Sequence, residues 1–425
     1  MSKARLLRAL SRVVTGFTIL YISSFMICSG WVWYQRGAVN RSWAQTELPL
    51  ENFSHRFPPT KPNQTALQLQ EIGKRFDLMF IRTQTQQDRN LIESMLRTTR
   101  LVGDYVQSQV QKNSSELDPL PPALQQFMAS HQADLQALKH VLEANPAPVW
   151  EMDLALAEQA ETPNLLACRG LASLLAVDIL ENTRQGKHQE ALRSFELSWK
   201  ANESLRNRPE LISQLIAVAV DNLNLDILAR MEQVPVEWQQ RIAAHNYHTS
   251  IAVAIEAETW MLYERTKSGE IVLRGTEAET PTNKLFRSTV VALTEPYVKT
   301  LMLNAVEAQC RTLAVARNRG NYWFDWKGTV SHSRNPVSNL YAVNGASAWR
   351  TMNRHLMQVE KTQKILSIKA QALDGYFPKM ISGIESSANP NGKWNYEVAP
   401  DGTAKLSFSQ EVEFLPLKFT FKPRT

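Results

Sequence analysis

Twelve residues carrying four cations, then a stretch with no charge at all, leave this chain few options at its N-terminus. Lys3, Arg5, Arg8 and Arg12 precede a mostly apolar run of 23 residues from Val13 to Gln35. As a helix rising about 1.5 Å per residue, such a run reaches roughly 34 Å, enough to cross a hydrocarbon core of about 30 Å. The sequence therefore predicts a basic tail at 1–12 and a transmembrane helix at 13–35 in contact with the lipid bilayer. The four cations outnumber Arg36 and Arg41 on the far side, which puts the N-terminus in the cytoplasm and the bulk of the chain beyond the membrane. Trp31, Trp33 and Tyr34 mark the exit, because amphipathic rings favour the headgroup layer.

Two processing routes compete with a retained anchor. A cleaved signal peptide needs a shorter apolar core closely followed by small residues, and the nearest small-x-small site, Ser42-Trp43-Ala44, lies well past the run. Lipidation at Cys28 would need a small residue before it, where Ile27 stands. Gly16-Phe17-Thr18-Ile19-Leu20 resembles the processing site of type IV prepilins. Uncharged Val13, Val14 and Thr15 before the glycine, and Tyr21 in place of the family's glutamate, depart from that pattern. An ordinary glycine in a membrane helix is the favoured account of Gly16.

The formal charge of +6 suggests an anionic partner only until the tail is set aside. Without its four cations, 43 basic residues face 41 acidic ones, and that balance gives no nucleic-acid signature. Three cysteines make no disulfide framework: Cys28 lies in the apolar run, while Cys168 and Cys310 stand in apolar helical contexts as two buried thiols or one bridge.

Beyond the anchor, Pro49, Pro58, Pro59 and Pro62 forbid a continuous helix, so residues 36–64 read as an extended stalk. A helical ectodomain is expected over 65–373. Apolar residues recur at spacings of three and four through Leu67–Phe80 and Leu91–Val110. A Pro-marked loop follows, and Pro122 opens a helix to about Glu143. Thr162-Pro163 reads as cap and first residue of a helix buried nearly all round over Leu165–Leu180. Pro209 and Pro235 open further helices, the second running to about Tyr263. Thr282–Ala316, bent near Pro296, and Ala346–Leu373 complete the set. Gly186–Phe195 resembles the turn and second helix of a tetratricopeptide unit, although no copy recurs after 34 residues and an array needs about three units.

The period then changes. Lys393–Val398 and Ala404–Phe408 alternate about a Pro400-Asp401-Gly402-Thr403 turn, which reads as a hairpin, and Phe414–Phe421 supplies a third strand. The order Gly375-Tyr376-x-Pro378, Gly392-x-Trp394-x-Tyr396, Asp401-Gly402 and a final strand resembles the C-terminal module of uncharacterised membrane-anchored bacterial proteins. It is also similar to the end of type II secretion pseudopilins. That family's calcium-site acids and its Asp-Pro-Trp-Gly run are not evident here, so neither calcium nor fibre assembly is carried over. The resemblance covers about 65 residues. It implies a small β module at 374–425 and, with the charge bias, a bacterial inner-membrane protein whose bulk is periplasmic.

Chemistry is less legible. His245-x-x-His248 with Glu256 and Glu258 is the best metal-like grouping, but spacing fixes no third ligand and no metal or other cofactor is assigned. Glu151, Asp153 and Glu158, or Glu256 and Glu258, would suit an acid/base pair only at a separation that sequence does not set. Nucleophile-elbow, zinc-protease, Walker and dinucleotide motifs are absent. Tyr322, Trp323, Phe324 and Trp326, followed by His332, Arg334 and Asn335, occupy the one long irregular stretch and form the expected recognition surface, or else an aromatic plug for the last helix. The sequence thus predicts a mainly α chain: a single transmembrane helix, an ectodomain of antiparallel helical hairpins and a small antiparallel β module. It favours a non-enzymatic envelope protein that binds a protein or polymer. A hydrolase of peptide or glycan, and an accessory of a pilus or secretion assembly, are the alternatives.

Overall fold

Leucine-rich periodicity interrupted by proline, glycine and capping residues produces a mainly helical fold, ending in a three-stranded sheet. The computed structural model describes residues 21–39, 41, 53–81, 87–154, 163–268, 281–317, 345–372, 376–381, 385–412, 415 and 417–422. By its internal contacts the chain divides into two units, one of residues 1–56, 255–318 and 327–345, the other of residues 57–254, 319–326 and 346–425.

The larger unit holds α3 (Gln64–Gly73), α4 (Gln87–Val110), α5 (Pro122–Ser130), α6 (Gln132–Ala144), α7 (Leu165–Arg184), α8 (His188–Arg206), α9 (Leu211–Leu228), α10 (Trp238–Ala244), the start of α11 (Tyr247–Ser268), and α13 (Gly345–Gln371). Its helices break where local chemistry competes with the ladder. A Cβ on Gly73 would lie 2.6 Å from the Phe80 ring and 2.8 Å from the Leu78 carbonyl, so only glycine lets the chain fold back there. Asp77 accordingly adopts a left-handed conformation, and the Gln70 side-chain oxygen accepts from the N–H groups of Phe80 and Ile81. The helix expected to run from Pro122 to Glu143 is divided at His131. Likewise the one expected from Pro235 to Tyr263 breaks at His245, and Asn246 starts α11 by accepting from the Thr249 N–H at 3.1 Å.

Helix α7 starts two residues later than Thr162-Pro163 suggests. Its cap is Asn164, whose side chain accepts from Leu166 N–H and whose own N–H is held by the Phe80 carbonyl at 2.6 Å. From Leu171 to Leu180 nearly every residue of this helix is buried. Gly186, at φ +71°, makes the tight turn into α8. The resulting hairpin packs with α4, α9, α10 and α13 around Phe195, Trp199, Trp238, Leu180 and Leu225.

Long basic side chains close the C-terminal ends of neighbouring helices, whose last carbonyls have no partner within the helix. Lys200 donates to Leu142 and Asn145 beyond α6. Arg230 donates to Gln109, Val110 and Lys112 at the end of α4. Lys369 donates to Ala229 and Met231 after α9, at 2.8 and 2.9 Å. Of the expected stalk at 36–64, residues 36–39 and Phe53–Arg56 are helical rather than extended, residues 42–52 lie outside the described residues, and those from Phe57 on are fastened down. Thr60 pairs with Met152 through two backbone bonds, and Asn63 donates from its amide to Ala147 while accepting from Val149.

Helix α9 carries an 18-residue stretch with a mean hydropathy of 1.5, the one described helix long and apolar enough to cross a membrane. Of that stretch 61% is buried within the protein, and buried Asp221 and Asn224 are hydrogen-bonded there, which makes it a core helix.

The sheet is antiparallel, in the order β1 (Trp394–Val398), β2 (Ala404–Phe408), β3 (Lys418–Phe421), with Trp394 opposite Phe408 and Val398 opposite Ala404. Ala404, Leu406, Phe408, Phe419 and Phe421 point inward at the period of two and pack with Met357, Ile365 and Ile368 of α13. The outer edge of β3 is covered where the Thr420 N–H meets the Asn113 carbonyl at 2.7 Å. The Tyr376-Phe377-Pro378 segment meets this sheet, since Pro378 accepts from the Tyr396 hydroxyl and Phe377 packs on Phe421.

Glu360 of α13 pins the module. Its carboxylate accepts from the Trp394 indole at 2.9 Å, the Ser386 hydroxyl at 2.8 Å and the Ala388 N–H at 2.9 Å. Glu360→Ala leaves these buried donors without an acceptor at about 1–3 kcal/mol each. Limited proteolysis is then expected to cut residues 373–393 sooner than in the parent while far-UV helicity is retained. Equal cutting rates would refute the pin.

The smaller unit contains α1, described over residues 21–39, α2 (Phe53–Arg56), the remainder of α11 and α12 (Pro281–Arg317). Residues 13–20 of the expected membrane run lie outside the described residues, and 21–35 are helical. Pro296 lies inside α12 without ending it. The α11 and α12 helices are joined by Thr259, whose hydroxyl donates to Gln309 at 2.9 Å, and the buried carboxylate of Glu256 pairs with Arg56 at 3.6 Å.

Candidate functional site

An acid in an otherwise apolar helix needs partners, and Asp221 of α9 has several. Arg206, in the last turn of α8, donates to it from Nε at 2.9 Å and also from Nη2. Asn202 donates at 2.7 Å, and the Tyr247 hydroxyl, from the first turn of α11, donates at 2.6 Å. The guanidinium carbon lies 3.9 Å above the Trp199 ring, a cation–π arrangement. His355 of α13 packs edge-on to Tyr247 and contacts Asn222 Oδ1 through Nδ1 at 2.8 Å. Helices α8 and α11 thus meet at one carboxylate of α9, and α13 packs beside them.

The electrostatics follow from burial. Burial pulls the Arg206 guanidinium down, but Asp221 and the Tyr247 hydroxyl outweigh it and its pKa stands above the ordinary value. Burial, reinforced by Asp221, raises Tyr247 well above 10. Burial lowers His355 to about 4. With Asp221, Tyr247 and His355 at 1%, 2% and 3% exposure, these groups are sealed from solvent and tie helices together. A second knot does the same between α6, α7 and α8: Asp178 accepts from Lys139 at 2.8 Å and from the Ser194 hydroxyl at 2.5 Å.

One open feature of the larger unit is a groove of about 300 Å³ between the start of α8, the α9–α10 connection and the end of α13. Leu192, Val234, Pro235 and Leu366 form its apolar floor, and Gln189, Gln233 and Gln239 supply amides around it. His188 and Glu232 face each other at its mouth, Nε2 to carboxylate oxygen 3.8 Å. Lys369, already bonded to two carbonyls, lines its far wall. Amides that both donate and accept, set beside apolar surface, match the alternating demands of a polypeptide.

The expected recognition residues Tyr322, Trp323, Phe324, Trp326, His332, Arg334 and Asn335 lie outside the described residues. The metal-like grouping is not assembled. His245 sits between α10 and α11, not on one helix with His248, and its Nε2 is 3.0 Å from the Ser250 hydroxyl. His248 packs on Trp349, and among the described residues no three His, Cys, Asp or Glu side chains gather as a metal set. Of the candidate acids, Glu256 is buried and pairs with Arg56, Glu151 is exposed, and Glu158 is outside the described residues. Cys168 and Cys310 are free and buried, and burial pushes the Cys168 thiol up to about 12, which makes it a poor nucleophile. Sequence reasoning missed the groove, whose one visible signal was the polar Glu232-Gln233 step that follows the strongly apolar α9. No family model matches this chain, and neither curated proteins nor solved structures contain a significant match to it.

Proposed function

We propose that this is a membrane-anchored binding protein: α1 holds it in a bacterial inner membrane, N-terminus inside, and the periplasmic helical body takes a polypeptide segment in the groove. The groove carries the reading, because its amides and apolar floor suit a peptide backbone and an apolar side chain together. A photo-crosslinking residue at exposed Gln233, in living cells, tests it. The expected result is a discrete protein adduct that disappears when exposed Ala370 is changed to Trp, which fills the groove from its rim. Adducts that persist in the filled variant, or adducts to glycan, would overturn it.

The His188–Glu232 pair supports a second reading, a hydrolase in which histidine activates water. At 3.8 Å the pair is too long for a hydrogen bond, and among the described residues no Ser, Cys or Thr lines the groove, so binding leads. His188→Asn separates the two: the adduct survives under the binding reading, whereas turnover of a captured peptide is lost under the other.

A further inference from the structure

Residues 147–152 gather one end of the larger unit. On one side the Val149 carbonyl accepts from the Asn63 N–H at 3.1 Å, and Leu67 stands one helical turn beyond Asn63 on α3. On the other, Arg208, just before α9, donates to the carbonyls of Trp150 and Glu151. The Trp150 ring stacks on Phe80 at 5.1 Å, and the Phe80 carbonyl holds the Asn164 cap of α7. The first turns of α7 and α9 therefore meet here. Connectivity agrees, since a short turn joins each of them to α8 and both start at the end where α8 stops.

Apolar side chains face outward at this end. Leu67, Val149, Leu166 and Ile212 are 41–52% exposed, a grouping that marks a contact surface. Exposed cations stand among them: Lys61, between the fastened residues Thr60 and Asn63, and Arg169, one turn after Leu166 on α7, with Glu151 the exposed acid beside them.

We propose that this end of the body rests on the periplasmic face of the bilayer, its apolar side chains at the headgroup boundary and Lys61 and Arg169 on anionic lipid phosphates. This depends on the membrane reading above. The tether selects lipid as the occupant, because the chain arriving from the anchor joins the body at residues 57–63, which Thr60 and Asn63 fasten to the same 147–152 segment. Apolar surface set with basic residues gains from both the acyl boundary and anionic headgroups. The groove stands at the other end of α9, 18 residues or about 27 Å away, and is thereby turned from the membrane towards an incoming polypeptide.

The test is lipid quenching of a fluorophore on the full chain, reconstituted alone into phosphatidylethanolamine and phosphatidylglycerol vesicles, with Cys28, Cys168 and Cys310 replaced by Ala. A bimane on Ile212→Cys is expected to lose most of its emission to lipids carrying a nitroxide near the headgroup. The same label on Val236→Cys, equally exposed but beyond the far end of α9, is expected to keep it. Lys61→Glu with Arg169→Glu is expected to restore emission at Ile212, as is exchanging phosphatidylglycerol for phosphatidylcholine. Release of the chain by alkaline carbonate would overturn the membrane reading itself. In a retained chain, equal quenching at both positions, quenching at neither, or quenching at Ile212 indifferent to both charge changes would overturn the lipid contact alone. A photo-crosslinker at Ile212 that captures a protein in cells, with no quenching in the vesicles, would assign the surface to a protein instead.

Discussion

Asp221→Ala lowers the stability of the helical body by roughly 3–5 kcal/mol, the cost of stranding a buried charge. Arg206 is 5% exposed, and among the described residues Asp221 is the carboxylate hydrogen-bonded to it; it also reaches the Trp199 carbonyl. Tyr247 and Asn202 lose an acceptor in the same step. Removing the whole set tells a different story. Arg206→Met with Asp221→Leu and Tyr247→Phe removes both charges and the hydroxyl together, while Asn202 keeps its bond to the Ala217 carbonyl, and buried ion pairs replaced by apolar residues are often neutral or stabilised. The triple variant is therefore expected to recover most of the loss, with methionine packing on Trp199. Urea unfolding of detergent-solubilised protein, followed by far-UV circular dichroism, measures both. A single-variant loss under about 1 kcal/mol would place Asp221 with ordinary surface residues and sink the account.

The same residues show what a sequence exposes and what it hides. Local signals survive folding: the inward alternation of Ala404, Leu406 and Phe408, the all-round burial of α7, and the turn at Gly186 are properties of short windows. Helix ends were misplaced where a tertiary bond chose between neighbouring caps. Asn164 beat Thr162 because its N–H is held by the Phe80 carbonyl, 84 residues earlier in the chain. His245 and His248 looked like one helix face because the cap at Asn246, which divides them, is set by a single side-chain bond. Asp221 was visible as an acid inside Leu211–Leu228, yet its partners stand 15, 19 and 26 residues away on other helices. The groove was hidden for the same reason: its walls come from three segments between His188 and Ala370. Pairing across that distance is a property of packing, not of spacing.

His355→Gln is expected to remove much of the acid sensitivity of the helical body. The imidazole is 3% exposed among Tyr247, Asn222, Asp221, Arg206 and His245. Burial lowers its pKa from 6.5 to about 4; Arg206 and His245 push the same way, and Asp221 opposes them. The folded protein therefore refuses a proton that the unfolded chain accepts. Stability is complete above pH 6.5, falls as the pH drops from 6.5 towards 4, and levels off below, when both states carry the proton. The depression corresponds to about 3 kcal/mol. His245, also lowered by burial, acts in the same direction and remains in the variant. Glutamine cannot titrate, and it keeps an amide donor for Asn222. Carboxylates contribute their own acid dependence to both proteins, so the difference between the two stability–pH curves isolates His355. That difference should open between pH 6.5 and 4 with the parent losing more. Parallel curves would mean that the imidazole accepts its proton in the folded state, and that water or movement of α13 reaches it there.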